Sequence, residues 1–146
     1  MIYKAQFEVI YDASTNSYAV LPFELEGATS GETFENAIEM AVDWLQGEVE
    51  ISLINDLELP ETSLNHKPQD GGEVITVGVS ATLDSIPSMS ATDAAKKLGV
   101  SRARVAQLCK DKLLENWKVG SQRRIAVASV EARLKEDPQP GRPVEK

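Results

Sequence analysis

The spacing of apolar and polar positions changes several times along the chain, and each change marks an element. Residues 3–12, YKAQFEVIYD, alternate as a strand does, residues 13–17, ASTNS, form a turn cluster, and YAVLPFELE continues as a second strand ending near Pro22. These two strands predict a hairpin. GATSGET, residues 27–33, suits a tight connection or a short third strand leading into a helix. In TFENAIEMAVDWLQ, residues 33–46, the apolar positions Phe34, Ala37, Ile38, Ala41, Val42 and Leu45 follow helical spacing. Thr33 is placed to cap that helix, and Glu35 lies in its first turn, where the helix dipole favours a carboxylate. A looser segment runs to Pro60, and Asp70-Gly71-Gly72 is turn chemistry. EVITVGVS, residues 73–80, then reads as a last strand rich in β-branched residues. The order is β-β-(β)-α-β, a small sheet with a helix on one face.

The pattern beyond residue 85 is different. DSIPSMSATD reads as a linker and helix start, with Ser90 or Thr92 as cap. That helix runs to about Leu98, Gly99 breaks it, and Ser101 caps a second helix through about Lys110. The spacing fits a helix-turn-helix: Ala95 is small where the helices touch, and Ala94, Leu98, Val100, Val105 and Leu108 form the shared core. At about 100° per residue, Val105, Leu108 and Cys109 share the inner side of the second helix. Ala103, Ala106, Gln107 and Lys110 lie opposite, with Arg102 and Arg104 on the flanks. Two alanines let such a helix approach the floor of a DNA groove, and Gln107 and Lys110 can reach base edges. Cys109 reads as a buried small apolar residue. ENWKVGSQRRIAV predicts a hairpin turning at Gly120-Ser121, and ASVEARLKE a short closing helix.

Charge divides the chain at the same place. Residues 1–85 carry 16 Asp and Glu against Lys4 and Lys67, a net charge of −14, whereas residues 86–146 carry 13 Lys and Arg against 7 acids, a net charge of +6. The total is −8 over 146 residues. Affinity for nucleic acid rests on cationic contacts to phosphate, so the basic part is the candidate DNA-binding part. The expected organisation is a domain over residues 1–80, a linker over 81–88, a helix-turn-helix domain over 89–134 and a disordered tail over 135–146, where three prolines fall in PQPGRPVEK. A single cysteine excludes an internal disulfide and a cysteine-based zinc site. The apolar runs are too short for a membrane span and MIYKAQFEVI lacks the features of a signal peptide, so a cytoplasmic protein is expected.

Residues 18–45, YAVLPFELEGATSGETFENAIEMAVDWL, resemble the HicB antitoxin family at Tyr18, Val20, Pro22, Gly27, Gly31, Thr33 and Ala37. Glu26, Ala28 and Asn36 depart from the family's Pro, Cys and Glu, and Asn36 weakens the reciprocal capping bond expected at the helix start. The resemblance, over roughly residues 3–80, implies a partial RNase H-like fold without nuclease activity that binds and covers a small basic mRNA-cleaving toxin of the HicA type. Residues 89–134, with the hydrophobic-Gly-x-x-Arg-Arg run Val119 to Arg124, resemble the excisionase and MerR-like winged helix-turn-helix family. That resemblance implies a recognition helix in the major groove and wing residues Lys118, Gln122, Arg123 and Arg124 on the backbone or minor groove. The expected fold class is α+β: a small partial RNase H-like β-β-β-α-β N-terminal domain plus a mostly helical winged helix-turn-helix C-terminal domain.

The candidate DNA-binding residues are therefore Ser101, Arg102, Arg104, Gln107, Lys110, Lys118, Gln122, Arg123 and Arg124. Asp12, Glu24, Glu26 and Glu32 are the candidate toxin-binding residues, because an acidic surface complements a cationic RNA-binding protein. Metal-dependent phosphodiester cleavage needs carboxylates that converge. Glu35, Glu39 and Asp43 instead read as an exposed helix face, and Glu8, Asp12, Glu24 and Glu26 as exposed strand-end acids. His66, the only histidine, lies in a polar loop without a recognisable catalytic neighbour. No enzyme activity, cofactor or metal is expected. The expected partners are a HicA-like toxin, double-stranded operator DNA and a second copy of the chain, as a homodimer or higher homo-oligomer, since a lone winged helix reads only a short site. The alternatives are a phage-type DNA-binding regulator without a toxin, and a divalent-metal nuclease.

Overall fold

A computed structural model describes residues 2–136, and the chain divides into two compact units, 1–82 and 83–146. In the first unit, β1 (Tyr3–Asp12), β2 (Ser17–Pro22), β3 (Thr29–Gly31), α1 (Phe34–Ile54) and β4 (Glu73–Val79) follow in that order. The sheet order is β3-β2-β1-β4, and every pairing is antiparallel. The hairpin register sets Val9 opposite Val20 and Tyr11 opposite Tyr18, and β1 also pairs β4 with Phe7 opposite Ile75. Ala5, Phe7 and Val9 point to one face by strand alternation and meet Ala37, Ala41, Leu45 and Val49 of α1 in the core. Burial of this stripe is what holds the helix to the sheet, at roughly 25 cal/mol per Å² of apolar area removed from water.

Two local expectations change here. The helix does not loosen after residue 46 but continues through Gly47 to Ile54. A mid-helix glycine costs about 1 kcal/mol relative to alanine, and the buried positions Val49 and Ser52 extend the inward stripe beyond it. Val42 falls off that stripe and is exposed, because the contact line runs through Ala37, Ala41, Leu45 and Val49 at four-residue steps. The start is as expected: Thr33 accepts the Asn36 backbone N–H at 3.0 Å. Asn36 is no defect, since its Oδ1 accepts the Glu32 backbone N–H at 3.0 Å and supplies a reciprocal bond one residue earlier. Gly31 is required sterically, as a Cβ there would lie 2.4 Å from the Ala37 nitrogen.

The other face of the sheet is covered by the irregular segment between α1 and β4, with a correction to the exposed acids expected from sequence. Glu8 is buried at 3 % exposure. Its carboxylate accepts backbone N–H groups from Gln69, Asp70 and Gly72, each at 2.9 Å. Gln6 beside it accepts the His66 N–H at 2.9 Å and donates to Thr76 Oγ1 at 2.9 Å. Thus β1 is buried on both faces from Ala5 to Val9.

The second unit opens with a short 3-10 turn, Leu83–Ser85, then β5 (Ser88–Ser90), α2 (Ala91–Leu98), α3 (Arg102–Lys110), β6 (Asn116–Val119), β7 (Gln122–Ala126) and α4 (Val127–Glu136). Its sheet order is β5-β7-β6, antiparallel throughout. The stretch expected as a linker over 81–88 thus contains the turn, a buried Ile86 and the first residue of β5. A three-residue strand is too short to leave a periodic signal. Ser90 and Ser101 cap their helices, accepting N–H groups from Asp93 and Arg104 at 3.1 and 3.0 Å. Gly99 adopts φ +71°, the left-handed cap that ends α2. Ala94, Ala95, Leu98, Val105, Leu108, Cys109, Leu114, Ile125 and Val130 form the core, with Val100 partly buried against it. Lys135 and Glu136, expected in the tail, close α4, and residues 137–146 lie outside the described residues.

Candidate nucleic-acid interface

The inner side of α3 is spent on packing: Val105, Leu108 and Cys109 are buried. Burial pushes the Cys109 thiol up, against a smaller opposing effect of the Arg123 guanidinium, so it is a neutral core group. Arg102, Ala103, Arg104, Ala106, Gln107 and Lys110 are all exposed, as is the cap Ser101. Among the described residues none of these cations is paired with a carboxylate, so their charge is free for an external anion.

One flank of α3 opens into a groove. Ala91, Arg102, Ala103, Ala106, Cys109, Lys110 and Arg123 line a cavity of about 660 Å³ between α3, the start of α2 and the hairpin strand β7. Its lining is mostly apolar and includes three cations, Arg102, Lys110 and Arg123. Across the helix, the Gln107 side-chain amide donates to both carboxylate oxygens of Asp111 at 3.0 Å each.

The β6-β7 hairpin divides the expected wing residues into two sets. Lys118 and Gln122 are exposed near its tip. Arg123 is half-buried and donates to Asn116 Oδ1. Asn116 in turn donates to the carbonyls of Cys109 and Leu114 at 3.3 and 2.7 Å, so it ties the end of α3 to the hairpin. Arg124 turns away, donating to the side-chain and backbone oxygens of Ser88 at 3.0 and 3.1 Å. That guanidinium fastens β7 to β5, so Arg124 is engaged within the unit where Lys118 and Gln122 are exposed. Asp111, Asn116 and Ala91 are not found by sequence reasoning. Only Asp111 carries a signal there, its i+4 spacing from Gln107.

The acids of the first unit also divide. Glu26 and Glu32 are exposed at either side of β3. Asp12 is exposed but engaged, its Oδ1 accepting the Ser14 hydroxyl at 2.6 Å and the Ser14 N–H at 2.9 Å, which hold its pKa down. Glu24 is half-buried: Oε2 accepts the Ser63 N–H at 2.8 Å and lies 2.7 Å from His66 Nε2. Burial alone would raise the Glu24 pKa, but these bonds and the His66 charge outweigh it and lower the net value. His66 therefore has a neighbour after all, and its ring stacks on Phe23 at 4.1 Å and 2°. Glu35, Glu39 and Asp43 are exposed. Among the described residues no group of three or more His, Cys, Asp or Glu is arranged to hold a metal ion, and no helix is long and apolar enough to cross a membrane.

Residues 88–138 match the helix-turn-helix domain family. The chain thus carries a helix-turn-helix domain, a DNA-binding module, whose described part runs from β5 to the end of α4. Among solved structures the chain is similar to one described as a toxin-antitoxin complex from Streptococcus pneumoniae, with 21 % identity and a TM-score of 0.44, over 77 % of this chain and 98 % of that one. A search of curated proteins gives no match.

Proposed function

We propose that this chain is an antitoxin and autoregulator: its helix-turn-helix domain binds operator DNA of its own operon, and its acidic unit binds and blocks a small cationic mRNA-cleaving toxin of the HicA type. The observation that carries the DNA-binding part is the exposed face of α3, small at Ala103 and Ala106, polar at Gln107 and flanked by the unpaired cations Arg102, Arg104 and Lys110. Alanines allow close approach to a groove floor, Gln107 and Lys110 supply groups for base edges, and the arginines suit phosphate. Lys118 and Gln122 extend this surface as a wing, and Arg123 contributes charge at the groove beside α3.

The toxin-binding part is supported by the resemblance of residues 18–45 to HicB antitoxins and by the net charge of −14 over residues 1–85. Complementary charge steers a cationic partner onto such a surface and suppresses competing partners. Of the four candidate acids Asp12, Glu24, Glu26 and Glu32, Glu26 and Glu32 are exposed with no hydrogen bond among the described residues that engages their carboxylates, while Glu24 serves the fold. On this reading the protein acts by occupying surfaces and performs no catalysis. A homodimer presents two helix-turn-helix domains to two half-sites.

A growth assay tests it. Any small basic reading frame found beside this gene is expressed alone and then with the full chain. Arrest that the full chain relieves, and that Glu26→Lys with Glu32→Lys relieves less well, is expected. No arrest, or arrest that the chain leaves untouched, would instead favour a DNA-binding regulator without a toxin. Cleavage of RNA or an RNA-DNA hybrid by the pure protein with magnesium or manganese would overturn the non-enzymatic assignment.

A further inference from the structure

The two edges of the first sheet are chemically unlike. One edge is β3, three residues long and bracketed by the exposed acids Glu26 and Glu32. The other is β4, seven residues long, which pairs only with β1 among the described residues and does so in unbroken register from Tyr3 opposite Val79 to Val9 opposite Glu73. Exposed edge strands are ordinarily protected by lysine, proline, a bulge or shortness. EVITVGV has none of these. Five of its seven residues are β-branched, and Glu73, at its end, is its only charge. The exposed Ile2 side chain extends the apolar surface along this edge, lying over Gly78 so closely that a Cβ there would be 3.1 Å from Ile2 Cγ2.

We propose that β4 is the homodimer surface, pairing antiparallel with β4 of a second copy about a two-fold axis at Thr76. This rests on the reading of the chain as a dimer and adds the surface. The register is self-complementary: Val74 faces Gly78 of the second copy, Ile75 faces Val77, and Glu73 faces Val79. The two Glu73 side chains then sit six residues apart along the strand direction, about 20 Å at roughly 3.4 Å per residue, beyond the screening length of about 8 Å at physiological salt. An acidic unit repels its own copy over most of its surface, and a near-neutral edge is where that repulsion is least. A cationic partner gains nothing from such an edge and is better matched by the acid-flanked β3. The pairing places Ile2 of one copy beside Val74 of the other and joins two four-stranded sheets into one of eight strands.

The test uses the full chain in a Cys109→Ala background. Thr76→Cys is expected to form a disulfide-linked dimer under mild oxidation at micromolar concentration, while Ser30→Cys on β3 stays largely monomeric on a non-reducing gel. By light scattering, Thr76→Lys and Thr76→Glu, which set like charges face to face, should each weaken dimerisation at least tenfold, and mixing them should restore the dimer mass. A dimer that neither cross-links through position 76 nor responds to these charges overturns the surface and leaves the dimer reading standing. An unmodified chain that remains monomeric up to 100 µM, roughly tenfold above the working range of the assay, overturns both. The cross-link is scored on folded protein by circular dichroism, so loss of the Gln6–Thr76 hydrogen bond is read separately.

Discussion

The Gln107 amide nitrogen donates to Asp111, the C-cap of α3 one turn further on, bridging both carboxylate oxygens at 3.0 Å. This bond fixes an otherwise free side chain on the face proposed to read DNA, and it turns the amide oxygen away from the carboxylate. Gln107→Ala is expected to relax discrimination at one base pair by about 1–3 kcal/mol, the range of a good bidentate contact. Asp111→Ala should have a different signature, with tighter binding to all sequences, because a repulsive charge is gone, and weaker preference at the same base pair. Affinities for single-base-pair variants of the operator separate the two. Unchanged preference in Gln107→Ala would mean that α3 reads DNA through another side.

The helix cations and Arg124 of β7 make opposite predictions. Lys110→Ala or Arg102→Ala should flatten the slope of log affinity against log salt by about one unit for each phosphate no longer neutralised, with unchanged thermal stability. Arg124→Ala should act on the fold, because both of its hydrogen bonds go to Ser88. A loss of about 1 kcal/mol is expected for a half-buried, charge-assisted pair, read as a lower Tm of the second unit at a nearly unchanged salt slope.

Acid sensitivity of the first unit should centre on Glu8. Burial would raise its pKa, but the N–H groups of Gln69, Asp70 and Gly72 outweigh burial and hold it below the ordinary glutamate value. The stability it contributes is therefore fully present above the unfolded value, about pH 4.3, and is lost as pH falls through the lower folded value. Glu24 and Asp12 act in the same direction. Glu8→Ala leaves three backbone donors without their acceptor and should cost about 2–4 kcal/mol. Urea denaturation at pH 7 and pH 4 checks both points: the Glu8→Ala deficit should shrink at the lower pH.

Cys109 gives a simple probe of the second core. The residue is 6 % exposed, and burial raises the pKa of its thiol. In native protein at pH 8 a thiol reagent should label it only through opening of the unit, at least 100-fold slower than in urea-unfolded chain, a ratio equivalent to roughly 2.7 kcal/mol of opening free energy.

What was legible in the sequence was local. Strand β1, the caps Thr33 and Ser101, a cap at Ser90 or Thr92 that the structure places at Ser90, the break at Gly99 and the hairpin turn at Gly120-Ser121 each follow from a few neighbouring residues. The second half of α1 was hidden by Gly47, whose intrinsic cost is overridden by the burial of Val49. The partners of Glu8, Glu24 and Arg124 lie 36 or more residues away in sequence, so no local pattern could tell these buried or half-buried charges from solvated ones. Within the candidate site, helical periodicity predicted the exposed face of α3 correctly, while the inward turn of Arg124 depended on β5, a strand too short to predict.

The most direct measurement is the binding of the full chain to a duplex carrying the sequence upstream of its own gene, followed by fluorescence anisotropy against a shuffled duplex at several salt concentrations. The account predicts tighter binding to the native duplex by at least 10³-fold, the lower end for specific regulators, with the preference reduced in Gln107→Ala and the salt slope reduced in Lys110→Ala. Equal affinity for native and shuffled duplexes, or no binding even at low salt, would contradict it.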